Sequence, residues 1–140
     1  MSTREAVIEN IISLLKDMND PKPVLVTREP FDVEKLAITQ FPAILVQSGE
    51  EIRFDTAMRS REGQINYNVR CFVRGTEIDK KKNEIIERIE ETLEVDRKRD
   101  TGNFAMKTQV ITITPVDRLA PLGEVLVVVQ VQYKYPRGIT

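Results

Sequence analysis

Two segments of the chain carry apolar residues at helical spacing. The first follows Ser2 and Glu5, which fit a capping box, and it ends before Pro21 because the residue preceding a proline disfavours helical geometry. Its apolar stripe consists of Val7, Ile11, Leu14, Leu15 and Met18. The second segment begins after Gly75 and repeats the pattern with Ile78, Ile85, Ile86, Ile89 and Leu93. The pattern predicts two amphipathic helices.

Five other segments are typical of β-strands. Residues 23–27 and 43–47 are short apolar runs beside prolines, and residues 109–114 form a third candidate. Residues 64–74 and 124–135 alternate between apolar and polar side chains, as strands with one buried face do. In residues 64–74, one face collects Ile65, Tyr67, Val69, Cys71 and Val73.

The order helix, strand, strand, strand, helix, strand, strand predicts an α+β domain of two layers. A mostly antiparallel sheet of four or five strands would carry both helices on one face. A split βαβ, ferredoxin-like arrangement is the nearest alternative, but it would not begin with a capped helix. We expect a core in which Ile12, Leu15, Ile85 and Ile89 are buried with Val69, Ile111 and Val129.

The other face of this sheet is polar. Its side chains are Asn66, Asn68 and Arg70 on one strand, Thr112 and Thr114 on another, and Gln130, Gln132 and Lys134 on a third. Because a face packed on helices could not bury these groups, we expect it either to meet water, to line a channel or to adjoin a neighbouring subunit.

A long charged segment, residues 49–63, separates two of the strands. At fifteen residues it exceeds the usual hairpin connection of about 2–5 residues, and long connections are often functional or disordered. One interpretation is a projecting hairpin arm, and the other is a solvated loop. If it is an arm, we expect Arg53, Phe54, Arg59 and Arg61 to contact another subunit or protein, since arginine and aromatic residues are enriched at interfaces.

Composition removes several classes of function. A length of 140 residues predicts one domain, residues 1–140, and the near balance of 21 basic against 22 acidic residues disfavours a dedicated nucleic-acid binder. The chain has no histidine, no glycine-rich phosphate loop and one cysteine, Cys71. We therefore predict a protein that is not an enzyme, without catalytic residues, cofactor or metal. The absence of a long apolar run predicts that it is not a membrane protein and is made in the cytoplasm.

Taken together, these features resemble the tail terminator (tail completion, or minor tail) proteins of tailed bacteriophages. The resemblance is carried by the capped first helix, the string Phe-Pro-Ala-Ile-Leu-Val at residues 41–46, the charged excursion and the helix around residues 84–89. It covers nearly the whole chain. It implies a virion protein of the tail and neck region, assembled in the host cytoplasm.

The family resemblance also implies a function and partners. Such proteins form a homohexameric ring that caps the head-proximal end of the tail tube, ends tube polymerisation and joins the head/neck connector protein. DNA passes through the ring without sequence-specific binding, and residues 50–62 would reach the neighbouring subunit or the tail tube protein. The alternatives are another phage neck or head–tail adaptor protein, or a small bacterial α+β binding or regulatory domain that acts as a dimer.

Overall fold

The structure, a computed structural model, describes residues 3–55, 60–95 and 105–136. Its helices are α1 (Thr3–Lys16) and α2 (Ile78–Val95). Its strands are β1 (Leu25–Thr27), β2 (Ala43–Asp55), β3 (Ser60–Arg74), β4 (Ala105–Val116) and β5 (Leu122–Pro136). Two short 3₁₀ turns, Val33–Lys35 and Ile38–Gln40, lie between β1 and β2. The predicted order of elements is confirmed, although β2, β3 and β4 are longer than their sequence patterns indicated.

The strands form one open sheet in the order β1-β2-β3-β5-β4. β1 pairs with β2 in parallel, and every other pair is antiparallel. The pairing of β3 with β5 extends from Ser60 opposite Pro136 to Arg74 opposite Leu122. Helix α2 carries the chain from β3 to the far edge at β4, and β5 returns between them. The α+β fold class is confirmed, with a mixed sheet.

Both helices pack on the same face of the sheet, as predicted. Helix α1 buries Val7, Ile11 and Leu15, and α2 buries Ile85, Ile89 and Leu93. These side chains share one cluster with strand residues that include Val69, Cys71, Val127, Val129 and Val131. The rings of Tyr67 and Tyr133 are also fully buried there. The alternating patterns of β3 and β5 thus supply the floor of the main core.

The prediction that Ile111 belongs to this core is wrong. Its side chain is 42% exposed, because a register shift between Val110 and Thr112 places a bulge at this point of β4. Thr108 and Val110 occupy the core-facing positions instead, with Thr108 fully buried and Val110 packed against the cluster. Ile12, also expected to be buried, is half-buried and packs against the same cluster.

The second face of the sheet is apolar at one end. Ala43, Leu45 and Phe72 form a small cluster there with Val33, under the segment of residues 31–41. The Phe31 and Phe72 rings meet edge to face, with centroids 5.5 Å apart. Asp32 begins the first 3₁₀ turn by accepting a hydrogen bond from the Glu34 amide at 3.1 Å. The polar face is therefore covered at this end, a feature the sequence pattern did not predict.

The packing predicts that Ile89 contributes strongly to stability. We expect Ile89→Ala to lower the free energy of unfolding by about 2–5 kcal/mol, because the truncation leaves a cavity between α2 and the sheet. Urea denaturation measures this change. The matched control is Ile38→Ala, an exposed isoleucine, for which we expect a change within about 0.5 kcal/mol. Equal changes for the two variants would contradict the placement of Ile89.

Candidate functional site

Residues 49–55 and 60–63 of the charged segment belong to the strands β2 and β3, which pair with each other. The two strands remain paired from Glu51 opposite Ile65 to Asp55 opposite Arg61. β5 continues to pair with β3 along this whole stretch, so the hairpin is supported by a third strand. Of the predicted contact residues, Arg53 is described in full. Arg59 lies outside the described residues, as do the side chains of Phe54 and Arg61.

A bulge in β2 determines on which face of the sheet the side chains of Glu51 and Arg53 lie. Ser48 lies opposite Tyr67 and Glu51 lies opposite Ile65, so β2 contains one more residue than β3 between these pairs. Because neighbouring side chains in a strand alternate, one extra residue moves all later side chains to the other face. Glu51 and Arg53 therefore lie on the helix face of the sheet. Their partners on β3 are Ile65 and Gly63, both of which are buried.

Glu51 is the centre of a half-buried polar cluster. Its side chain is 11% exposed and accepts a hydrogen bond from the Arg53 Nε at 2.7 Å. The Tyr133 hydroxyl donates a hydrogen bond to the other carboxylate oxygen, Oε1. The Arg4 guanidinium lies 3.7 Å from Oε2, the oxygen that Arg53 contacts. The Tyr67 hydroxyl donates to the backbone carbonyl of Arg4 at 3.3 Å. The cluster thus ties the start of α1 to β2, β3 and β5, and it uses the charge of Arg53 within the subunit.

Gly63 leaves the space that the Tyr133 ring needs to reach this cluster. In the sheet it lies between Arg53 of β2 and Tyr133 of β5. The Tyr133 ring lies over Gly63, since a Cβ at this residue would be 2.7 Å from the ring Cζ and 2.9 Å from the hydroxyl oxygen. Because glycine has no side chain, the tyrosine can cross β3 and reach Glu51 on the far strand.

We predict that Gly63→Ala destabilises the protein by about 1–3 kcal/mol, the usual cost of overpacking a buried site. The buried Tyr133 ring cannot move aside without breaking its hydrogen bond to Glu51. Urea denaturation of a double-mutant cycle with Tyr133→Leu measures the effect. In the Tyr133→Leu background the same glycine substitution should cost much less. An equal cost in both backgrounds would show that the contact with the ring is not its cause.

The remaining polar face of the sheet is rich in uncharged amides. Asn66, Asn68, Gln130 and Gln132 are half-buried, and the Gln130 amide donates to the Asn66 side-chain oxygen at 3.4 Å. Gln47 lies opposite Asn68, and Gln109 lies opposite Gln130, so the amide surface extends onto β2 and β4. The side chain of Lys134, predicted to belong to this face, lies outside the described residues. Such a surface offers hydrogen-bond donors and acceptors without net charge.

Arg70, also predicted for this face, is bound within the subunit by Glu124. The Glu124 side chain is 2% exposed, and it accepts from the Arg70 Nε at 2.9 Å and from the Arg118 Nε at 2.9 Å. Both guanidinium groups lie over the Phe72 ring, 5.3 and 5.7 Å from its centroid. Arg118 belongs to the turn between β4 and β5, so the cluster holds this turn against the sheet. Removing either arginine would leave a poorly compensated buried carboxylate.

This second cluster was missed in the sequence. Arg70 and Glu124 are far apart along the chain and meet only because β3 and β5 pair, with Phe72 opposite Glu124. The available signal was an acidic residue at the start of an otherwise apolar strand, Val125 to Val129. Because a carboxylate is rarely buried without a partner, Glu124 in this position indicates that an arginine or lysine lies nearby.

Among the described residues, no group of three or more histidine, cysteine or acidic side chains is placed to hold a metal ion. Within the same residues, no helix is long and apolar enough to cross a membrane.

Burial raises the pKa of the Cys71 thiol far above its usual range. A cavity of about 480 Å³ lies beside α2, lined mainly by Pro21, Ile38, Phe41, Pro42, Val73, Arg74, Gly75, Lys81 and Glu84.

We predict that Cys71 is unreactive in the native protein. Its side chain is fully buried, and the raised pKa keeps the thiol neutral at neutral pH, whereas the thiolate is the reactive form. Labelling with a thiol reagent should be much slower in buffer than in denaturant. Equal rates under the two conditions would place Cys71 at the surface.

The fold is similar to that of a chain in the solved structure of the virion of a native gene transfer agent (GTA) particle. The TM-score is 0.53, and the similarity covers 96% of this chain and 96% of that chain. The sequence identity is 10%, so the likeness concerns the fold. The sequence matches no protein-family model and no curated protein.

Proposed function

We propose that this protein is a structural protein of a phage-like virion and acts as a tail terminator. Six copies form a ring on the head-proximal end of the tail tube, end its polymerisation and provide the surface that the head/neck connector protein joins. The observation that carries the proposal is the likeness of fold to a chain of a virion particle over 96% of both chains.

The chemistry of the described residues supports a structural role. The carboxylates of Glu51 and Glu124, whose side chains are 11% and 2% exposed, are each held by arginines of the same chain. The sheet presents neutral amides on its uncovered face, and amides do not bind phosphates as arginine and lysine do. A ring that exposes such a face to its channel would let DNA pass without holding it.

In this proposal, the tip of the β2–β3 hairpin contacts the neighbouring subunit or the tail tube protein. Ile52, on the distal part of the hairpin, is 55% exposed and offers an apolar contact. Arg59 and Arg61 lie at or beside the connection between the strands. Arg53 is bound by Glu51, so reversing its charge would place two carboxylates together and disturb the subunit itself. The hairpin is therefore tested through Arg59 and Arg61.

We expect Arg59→Glu/Arg61→Glu to reduce capping of purified tail tubes, as seen by electron microscopy. Reversed charges at an interface are strongly penalised, whereas exposed charges contribute only about 0–1 kcal/mol to folding, so the melting curve should stay nearly unchanged. The matched control is Lys35→Glu/Lys80→Glu, two exposed lysines outside the hairpin, which should cap normally. Normal capping by the arginine variant would refute the role of the hairpin, and a wild-type chain that binds the connector but not tubes would indicate a neck adaptor instead.

A further inference from the structure

The outer edge of β4 has no described strand partner and carries few charges. β4 ends the strand order, so no described strand pairs with its outer side. Residues 108–116, Thr-Gln-Val-Ile-Thr-Ile-Thr-Pro-Val, contain no charged side chain. Ile111 and Ile113 are 42% and 39% exposed on this strand. Soluble proteins usually protect long edges with charges, prolines, bulges or short strands. β4 has a bulge at Ile111 and a proline at residue 115, but no charge from Thr108 to Val116.

The edge of the sheet opposite β4 is only partly covered by a neighbouring strand. β1 is only three residues long and pairs with β2 at Ala43, Ile44 and Leu45. From Val46 to Asp55, β2 has a described strand partner on one side, β3. Two of the charges on this stretch are turned beneath α1, where Glu51 and Arg53 bind each other. Of the other charges on this stretch, Glu50 is exposed and lies in the bulge of β2.

We propose that the β4 edge of one copy pairs with the distal β2 edge of the next copy. The sheet then continues from subunit to subunit around the ring; this inference rests on the proposed function. The strand directions support it: β2 and β5 are both antiparallel to β3, and β4 is antiparallel to β5, so β2 and β4 run in opposite directions. If a second copy lies beside the first with its sheet in the same orientation, the β2 of one copy therefore runs antiparallel to the β4 of the other.

This contact is head to tail, because two different edges meet. A head-to-tail contact repeats at every subunit and closes into a ring when the rotation allows it. Pairing of β4 with the β4 of a second copy is the competing arrangement. It would be symmetric and would stop at a dimer, leaving the β2 edges of both copies without a partner. The presence of two incomplete edges on one sheet favours the head-to-tail arrangement.

Two double variants test the assignment, each placing lysines on one edge at exposed positions. Ile111→Lys/Ile113→Lys blocks the β4 edge, and Ser48→Lys/Ile52→Lys blocks the β2 edge. The matched control is Ile38→Lys/Leu119→Lys, two exposed apolar residues that lie outside all strands. Melting curves check that each variant folds. Light scattering after size exclusion, with the chain at millimolar concentration, measures the mass in multiples of 16.1 kDa.

We expect the wild type and the control to assemble, and each edge variant alone to be a monomer. An equimolar mixture of the two edge variants should form a dimer and stop there, because one intact β4 edge meets one intact β2 edge and both outer edges are blocked. A β2-edge variant that dimerises by itself would show β4 pairing with β4 and overturn the assignment. Monomeric wild type, or edge variants that assemble like the wild type, would also overturn it.

The outcomes separate this inference from the proposed function. Tube capping judges the terminator function, whereas the mixing experiment judges the edges. A protein that caps tubes although both edge variants assemble normally retains its function and loses the edge assignment. A protein that shows the expected mixing pattern but never binds tubes retains the edge assignment and loses the terminator function.

Discussion

The pairing of β3 with β5 is the interaction on which the other features of this protein depend. It extends from Ser60 to Arg74 and places β5 in the middle of the sheet although it is the last strand in sequence. Both strands are covered by helices along one face, so their alternating apolar residues form the floor of the core. The same pairing positions Tyr133 beside Gly63 and Glu124 beside Phe72. Both polar clusters of the subunit follow from it.

Those two clusters lie on opposite faces of the sheet and have a common logic. Glu51, on the helix face, and Glu124, on the other face, are shielded from water and each is held by arginines. A buried carboxylate with partners of this kind adds little net stability, because the cost of removing the charges from water offsets their attraction, but removing one partner is strongly destabilising. Here they orient the start of α1 and the β4–β5 turn. The charges they consume are then unavailable to a partner, and the surfaces that remain for assembly are amides, isolated apolar residues and strand edges.

The proposed role in a ring is consistent with this distribution of groups. A subunit that must meet copies of itself on two sides benefits from backbone edges, because main-chain hydrogen bonds give a repeatable contact that requires no particular side chain. Exposed isoleucines beside such an edge add apolar area without introducing charges that repel an identical neighbour. In the proposed role the hairpin reaches beyond the subunit, and its described part is supported by a third strand, β5.

Local pattern was enough to predict both helices, the strands β3 and β5 and the α+β class. Strict periodicity in these segments reports which side chains meet water, and burial of one face is the largest favourable contribution to folding. The pattern also predicted the amide face, from Asn66 and Asn68 on one strand and Gln130 and Gln132 on another. These are consequences of alternation along single strands, and alternation is a property of sequence alone.

Three features were decided by the tertiary structure. The bulges near Gly49 and Ile111 reverse the alternation, and a strand shows them only against the register of its partner. They explain why Glu51 and Arg53 lie on the helix face and why Ile111 is exposed. The pairing of Arg70 with Glu124 joins residues 54 positions apart. The outer edge of β4 exists because β5 inserts between β3 and β4, and the open edge of β2 exists because β1 pairs with only three of its residues. Each of these depends on which strands become neighbours, and that choice is made by long-range pairing that no local pattern records.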